Sequence, residues 1–374
     1  MKDTKPVGRL DELRQDIRAV DRELLRLIAR RMDLARTVGA EKHQHGIALR
    51  DFAVEKSVLE SADADARELG VAQELAQTVL QQLIEEACRV QEEAHYSSYR
   101  GDAETIVIVG GAGKMGQWFA RFFANQGHRV RIVDPQASEE TECAVLPRLD
   151  EALTGSTVAL IAVPLDAVAS TITAIAAIGY RGIVCDIASL KEHLRPVFLA
   201  ARRSGLLITS IHPMFGPSAR TLADKVVCFC DCGVPDATKR MAAFFRETAV
   251  RMVELSLEDH DRVAAYVLGL SHFINLLFGR VLEQSGLPLD SLARVGSTTF
   301  TTQLRTTANV LRENPNLYFE IQKLNPSTPA MLEAVERALA DLAAWIGTSD
   351  LDAFAAAMIA GRQWVDTSDA AAGL

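Results

Sequence analysis

A run of glycines lies between a strand pattern and a helix pattern. Thr105–Val109 is rich in β-branched residues, and Gly110-Gly-Ala-Gly-Lys-Met-Gly116 follows it and leads into a helical pattern. Gly111, Gly113 and Gly116 therefore fit G-x-G-x-x-G in its required strand-turn-helix context. We assign Gly111 to the tight turn, Gly113 to the approach of a pyrophosphate, and Gly116 to close packing of the helix on the strand. The motif predicts a dinucleotide site at the N-terminus of the helix.

Asp134 strengthens this prediction because it ends the next predicted strand, Arg129–Val133. It lies about 20 residues after the glycines, where a carboxylate binds the ribose hydroxyls of the cofactor. A carboxylate there repels a 2′-phosphate, so we expect NAD rather than NADP as the cofactor.

His212 lies near the predicted carboxyl edge of the same sheet. The segments Val184–Lys191 and Ser210–Pro217 are each expected to follow a strand, and ligands bind at that edge of such sheets. A neutral histidine there can accept a hydroxyl proton while a hydride leaves for a nicotinamide. A histidine before a proline is more often structural, and the strand-edge position is what favours catalysis.

A third set of candidate residues lies in the first part of the chain. Arg31 and Lys42 are eleven residues apart, so they share one face of a helix. Arg14 lies seventeen residues before Arg31, roughly 26 Å along the axis, and could serve only the site of a dimer partner. Asp51 and Glu55 would lie one turn apart on a second helix, and Gln91 on a third. Cations and a neutral donor can hold a dianion in one shape without a nucleophile.

The elements that carry these residues divide the chain into three predicted domains. Apolar residues recur at helical spacing from Leu10 to about His43, and shorter helices are expected over 50–61 and 71–96. Such unequal helices cover one another poorly in a monomer, which favours an intertwined dimer over a plain coiled-coil arm. We expect an all-α domain (1–97), a linker (98–104), an α/β Rossmann domain with a doubly wound parallel sheet (105–254), and an all-α C-terminal dimerisation domain (255–374).

Composition excludes several classes of protein. A net charge of -9 argues against binding to nucleic acid. No run approaches a membrane span and no signal peptide is evident, so we expect a cytoplasmic protein. Cys228, Cys230 and Cys232 alternate on a strand, and core packing explains them better than a metal site. We expect no bound metal.

The first 95 residues resemble the all-helical chorismate mutase family. The resemblance rests on Leu13–Leu25, Ala29–Arg31, Val38–Lys42 and the segment from Arg50 to Glu55. It implies that Arg31 and the partner's Arg14 bind the substrate carboxylates, that Lys42 and Gln91 contact the ether oxygen, and that Asp51 and Glu55 hold the hydroxyl. Val54 and Ala87 replace an arginine and a serine common in the family, which implies a weaker mutase.

The remainder resembles the prephenate dehydrogenase family, and closely its bacterial fusions to a mutase. Ala-Ser-Leu-Lys191, the His-Pro-Met-Phe-Gly-Pro217 segment, Glu258–Asp261 and Ser271–Phe273 carry this resemblance. It implies that His212 accepts the hydrogen bond of the C4 hydroxyl, that Ser189 orients it, and that His272 lines the substrate or nicotinamide side. Thr301 stands where the family has a carboxylate-binding arginine, and we hypothesise that Arg305, one turn later, takes over that role.

The fusion would convert chorismate to prephenate and then, with NAD, to 4-hydroxyphenylpyruvate, and would be inhibited by tyrosine. The same fusion acting on 4-amino-4-deoxychorismate and its prephenate analogue remains an alternative, as does a regulatory dimer with an impaired dehydrogenase site. A β-hydroxyacid dehydrogenase would need a further glycine-rich segment and a catalytic lysine on the first interdomain helix, and neither is found.

Overall fold

The computed structural model describes residues 6–45, 52–95, 102–137, 143–219, 221–222, 225–246 and 248–372. It divides into two compact units, residues 1–257 and 258–374. The first unit contains three N-terminal helices and an α/β sheet domain, and the second is helical.

Three helices open the first unit: α1 (Pro6–His45), α2 (Phe52–Leu69) and α3 (Gln73–His95). The long first helix is as its uninterrupted apolar spacing predicts. The second helix continues eight residues beyond the predicted end at Ser61, since no proline or glycine interrupts the chain before Gly70. A small core joins α1 to α3 through Met32, Ala35 and Val90.

An eight-stranded sheet follows, in the order β3-β2-β1-β4-β5-β6-β7-β8. Its strands are β1 (Thr105–Val109), β2 (Arg129–Val133), β3 (Ala144–Val145), β4 (Val158–Ile161), β5 (Ile183–Asp186), β6 (Leu207–Pro213), β7 (Val226–Cys230) and β8 (Arg251–Leu255). The predicted parallel, doubly wound core is confirmed for β1 to β6. The parallel prediction is wrong at one edge, because β7 runs antiparallel to β6 and β8 then pairs parallel to β7.

Helices cover this sheet: α4 (Lys114–Asn125), α5 (Leu149–Leu153), α6 (Val168–Ile178), α7 (Arg195–Arg203) and α8 (Pro235–Ala243). Helix α4 buries one aromatic stripe at helical spacing, and Phe122 stacks on Phe245 with ring centroids 5.0 Å apart. This cluster holds α4, and with it the glycine loop, against β1 and β2.

The second unit takes in most of α9 (Leu257–Ala264) and the helices α10 (Ser271–Gln284), α11 (Leu289–Arg294), α12 (Thr298–Leu311), α13 (Pro315–Leu324), α14 (Thr328–Thr348) and α15 (Leu351–Ala372). A π-helical turn, Ala265–Leu270, joins α9 to α10. Asn275 on α10 accepts hydrogen bonds from Gln303 (2.9 Å) and Thr307 (2.8 Å) on α12, which fixes the register of these two helices.

One continuous helical stretch, Leu257–Gln284, is long and apolar enough to cross a membrane by length and composition alone. No such run is expected from the sequence, and this stretch is the one candidate among the described residues. A single stretch of this kind is weak evidence, because helices that pack inside proteins or at interfaces pass the same test.

Candidate active sites

The glycine loop between β1 and α4 has the close contacts that a dinucleotide site requires. A Cβ atom at Gly116 would lie 2.2 Å from the carbonyl oxygen of Gly110, and one at Gly111 would lie 2.6 Å from Ile132. The left-handed residue is Gly110, with φ +87°, so the assignment of the tight turn to Gly111 is corrected by one position. Gly113 caps α4, which directs the first backbone N–H groups of the helix towards the loop.

Asp134 lies immediately after β2 and is held by the backbone. One carboxylate oxygen accepts the N–H of Ala112 (3.0 Å) and the other accepts the N–H of Gln136 (2.8 Å). The carboxylate is thereby fixed beside the glycine loop and keeps lone pairs for further donors. The loop and Asp134 together fit the pyrophosphate and ribose hydroxyls of a dinucleotide.

His212 lies inside a strand and not after it. The predicted strand ended at Ser210, but β7 pairs with the next three residues and extends β6 to Pro213. His212 is buried and pairs across the sheet with Cys228, so both side chains point to one face. The position at the carboxyl end of β6 is nevertheless as the sequence predicts.

A buried lysine joins the two segments that carry Ser189 and His212. Lys191 Nζ donates to the carbonyl oxygen of Ile211 (2.8 Å) and to Asp186 Oδ1 (3.2 Å), and the side chains of Lys191 and Asp186 are 0% exposed. Asp186 Oδ1 also accepts the N–H of Ala188 at 2.9 Å. Lys191 therefore fixes the turn after β5 to the residue that precedes His212, while Ser189 in that turn is half-buried.

Sequence reasoning places Lys191 in a motif but assigns it no role. A charged side chain this deeply buried is rare unless it is paired, and only the tertiary structure shows the pairing. Three cysteines near this face of the sheet, Cys228, Cys230 and Cys232, are buried, and burial raises the pKa of the Cys228 and Cys232 thiols. Their predicted role in core packing agrees with this burial.

The candidate mutase residues are distributed over α1 and α3. Arg31 Nη1 donates to the carbonyl oxygen of Leu83 on α3 at 2.6 Å, and partial burial lowers the pKa of its guanidinium. Gln91 is buried on α3, and Lys42 is half-buried near the end of α1. Arg14 is exposed near the start of α1 and pairs with Asp11 (3.3 Å). Asp51 and the side chain of Glu55 lie outside the described residues.

In the second unit, His272 stacks on Tyr318, with ring centroids 4.0 Å apart and the planes 6° from parallel. Burial lowers the pKa of His272, which favours the neutral imidazole. Tyr318 is a contact that sequence reasoning missed, since the two rings are 46 positions apart. Thr301 and Arg305 are exposed on α12, on the side away from the residues that contact α10.

Comparison with known proteins accounts for most of the chain. The family model described as chorismate mutase type II matches residues 13–92. The models for the nucleotide-binding domain and the dimerization domain of prephenate dehydrogenase match residues 119–254 and 256–360. The chain is 27% identical to the protein named T-protein from Enterobacter agglomerans, over 96% of this chain and 93% of that one. The T-protein of Haemophilus influenzae is 25% identical over 95% and 92%.

The chain belongs to the fused chorismate mutase–prephenate dehydrogenases. It is a bifunctional enzyme of tyrosine biosynthesis, with an N-terminal helical mutase domain, a Rossmann-like nucleotide-binding domain and a helical C-terminal domain. The fold of the enzyme is also similar to that of prephenate dehydrogenase from A. aeolicus, solved in complex with hydroxyphenyl propionate and NAD+. The TM-score is 0.59 at 16% identity, covering 72% of this chain and 99% of that one.

Proposed function

We propose that the enzyme rearranges chorismate to prephenate and then uses NAD to convert prephenate to 4-hydroxyphenylpyruvate. The observation that carries the proposal is the presence of one mutase and two dehydrogenase domains, in the order of the T-proteins, in a chain whose glycine loop and Asp134 fit a dinucleotide. We assign residues 1–97 to the mutase, 98–104 to the linker, 105–254 to the Rossmann domain and 255–374 to the C-terminal domain.

The mutase step needs a folded dianion and charge stabilisation at the breaking ether bond. Arg31 and the Arg14 of a second chain bind the two carboxylates, and Lys42 and Gln91 donate to the ether oxygen. Asp51 and Glu55 hold the hydroxyl group. The partly buried guanidinium of Arg31 supports this assignment, because a buried cation gains most from an anionic partner.

In the dehydrogenase, NAD supplies the hydride acceptor. The N-terminus of α4, with Gly111, Gly113 and Gly116, would hold its pyrophosphate, and Asp134 the ribose hydroxyls. His212 accepts the C4 hydroxyl proton, Ser189 orients that hydroxyl, and loss of the ring carboxylate as CO2 leaves the aromatic product. His272 lines the substrate or nicotinamide side, and its stacking on Tyr318 fixes the orientation of its ring.

Arg305 binds a prephenate carboxylate in place of the arginine absent at Thr301. Its exposure on α12 leaves the guanidinium available to a ligand. Arg305→Ala should raise the KM for prephenate about tenfold or more, since a hydrogen bond to a charged group contributes roughly 1.5–3 kcal/mol. Arg294→Ala, which removes an exposed arginine from α11, is the matched control. Unchanged prephenate turnover in Arg305→Ala would refute the assignment.

The enzyme is a homodimer whose mutase sites are shared between chains. The apolar residues of the first part of α1 are about half exposed within one chain: Leu10, Leu13, Ile17, Val20, Leu24 and Leu27. A second copy of α1 would cover this stripe and bring Arg14 to the partner's site. Because Arg14→Ala and Arg31→Ala damage different halves of one site, subunit exchange between the two inactive variants should restore up to about a quarter of wild-type mutase activity. A monomer, or no recovery after verified exchange, contradicts the shared site.

Tyrosine inhibits the enzyme, because it shares the 4-hydroxyphenyl ring of the final product and can occupy a pocket built for it. Initial rates of both activities with and without millimolar tyrosine test this expectation. Equal rates in the two conditions would rule it out.

A cytoplasmic location is supported by the six cysteines, none of which forms a disulfide.

The decisive experiment is NADH formation from chorismate alone. A signal requires both activities in one protein, and repeating the assay with prephenate separates them. The same assays with 4-amino-4-deoxychorismate and 4-amino-4-deoxyprephenate test the alternative substrate series. NAD binding without NADH from any of these substrates would favour the regulatory dimer.

A further inference from the structure

A buried contact joins helix α3 of the mutase to the nucleotide-binding domain. Cys88 on α3 packs against Ala249, which lies two residues before β8. The two residues are 8% and 4% exposed, so the contact is closed to solvent. It links parts of the chain that perform different reactions.

Cys88 lies close to two residues that we assign to the mutase site, Arg31 and Gln91. Arg31 Nη1 donates to the carbonyl oxygen of Leu83, on the same helix as Cys88, at 2.6 Å. The Cys88 thiol is also close enough to the Arg31 guanidinium to interact with it electrostatically. Gln91 follows Cys88 by three residues, less than one helical turn, and is buried.

Helix α3 is also packed on the side opposite Cys88, which limits how far it can move away from Ala249. Val90 on another side of the helix packs in a core with Met32 and Ala35 of α1. The helix is thus held between α1 and Ala249, and close-packed interiors transmit a displacement instead of absorbing it. A shift of α3 would move the carbonyl group that anchors Arg31 and the side chain of Gln91 together.

We propose that Ala249, a residue of the dehydrogenase half, is a positioning residue for the mutase: its small side chain sets where Cys88 and helix α3 lie, and so the placement of Arg31 and Gln91. The proposal rests on the mutase roles proposed above for these two residues. Under this proposal the fusion affects the mutase directly, because a residue of the nucleotide-binding domain helps to position the mutase site.

The test is Ala249→Leu in the full chain, assayed for each reaction separately. Overpacking of a closed contact should lower mutase kcat/KM at least about fivefold. Displacement of Arg31 raises the KM for chorismate, and displacement of Gln91 lowers kcat. Dehydrogenase turnover of prephenate should stay within about twofold of wild type, because Ala249 belongs to no part of that site. Ala177→Leu, at an exposed position of α6, is the matched control.

A double variant that exchanges the sizes of the two side chains across the contact gives a more specific test. Ala249→Cys alone should impair the mutase, and Cys88→Ala combined with it should restore mutase kcat/KM, because the two side chains then exchange sizes across the contact. Circular dichroism and the melting temperature distinguish repositioning from unfolding.

The proposal is overturned if Ala249→Leu and Ala249→Cys keep wild-type mutase constants, or if mutase activity falls only in step with helix content. Failure of the exchange variant to recover also counts against it. A wild-type enzyme that does not turn over chorismate would refute the proposed function itself, which is a different result.

Discussion

Replacing Lys191 with methionine removes the cation from an ion pair that is fully buried. Asp186 would lose Lys191 Nζ as a partner, while its other carboxylate oxygen has no hydrogen-bond partner among the residues that the structure describes. Breaking one side of a buried pair costs about 3–5 kcal/mol, because an uncompensated charge is left in the interior. At about 2–4 °C per kcal/mol, the melting temperature of the dehydrogenase domains should fall by roughly 6–20 °C.

Dehydrogenase activity should also fall, for a reason that is separate from the loss of stability. Lys191 also holds the carbonyl group of Ile211 next to His212, so its loss frees the segment that carries the histidine. We expect dehydrogenase kcat to fall about tenfold or more, since a misplaced catalytic group costs up to about 100-fold. The mutase activity of the same protein, measured below the melting transition, is the internal control.

A double-mutant cycle isolates the ion pair. Asp186→Asn retains an acceptor for the Ala188 N–H but removes the charge. The double variant with Lys191→Met should lose less free energy of unfolding than the two single variants together, by at least about 1 kcal/mol. The reasoning is refuted if Lys191→Met melts within about 2 °C of wild type, or if the two changes are additive.

Three further predictions concern the cofactor site and pH. Gly116→Ala places a methyl group against the Gly110 carbonyl and should weaken NAD binding about tenfold or more by titration calorimetry, whereas Gly347→Ala, in open space, should leave it unchanged. Asp134→Asn should raise the KM for NAD about tenfold and reduce the preference of the enzyme for NAD over NADP. An unchanged ratio of kcat/KM with NAD to kcat/KM with NADP would contradict the binding of the ribose hydroxyls by Asp134. Burial lowers the pKa of His272 below its usual 6.5, so its contribution to stability is present above pH 6.5 and is lost as the pH falls through the folded-state pKa. His272→Phe, which retains a ring against Tyr318, should therefore lose less stability than wild type between about pH 7.5 and pH 5 in urea titrations.

Local sequence patterns predict the elements that depend on local physics. The apolar spacing of α1, the β-rich run of β1 and the glycines before α4 are each encoded within a few neighbouring residues. The distance between Arg14 and Arg31 also follows from helix geometry alone. These features are sufficient for the three-domain interpretation and for the dinucleotide site.

Features that join distant parts of the chain were decided by tertiary structure. Strand β6 extends through His212 only because β7 pairs with it. The left-handed turn falls at Gly110, where a Cβ atom would lie 2.6 Å from the carbonyl oxygen of Ala162. Three further contacts have no sequence signal of their own: the buried pairing of Lys191, the Tyr318 ring on His272, and the packing of Ala249 on Cys88. Each depends on which side chains meet after folding, and a linear pattern carries periodicity and chain spacing but not the identity of a partner far along the chain.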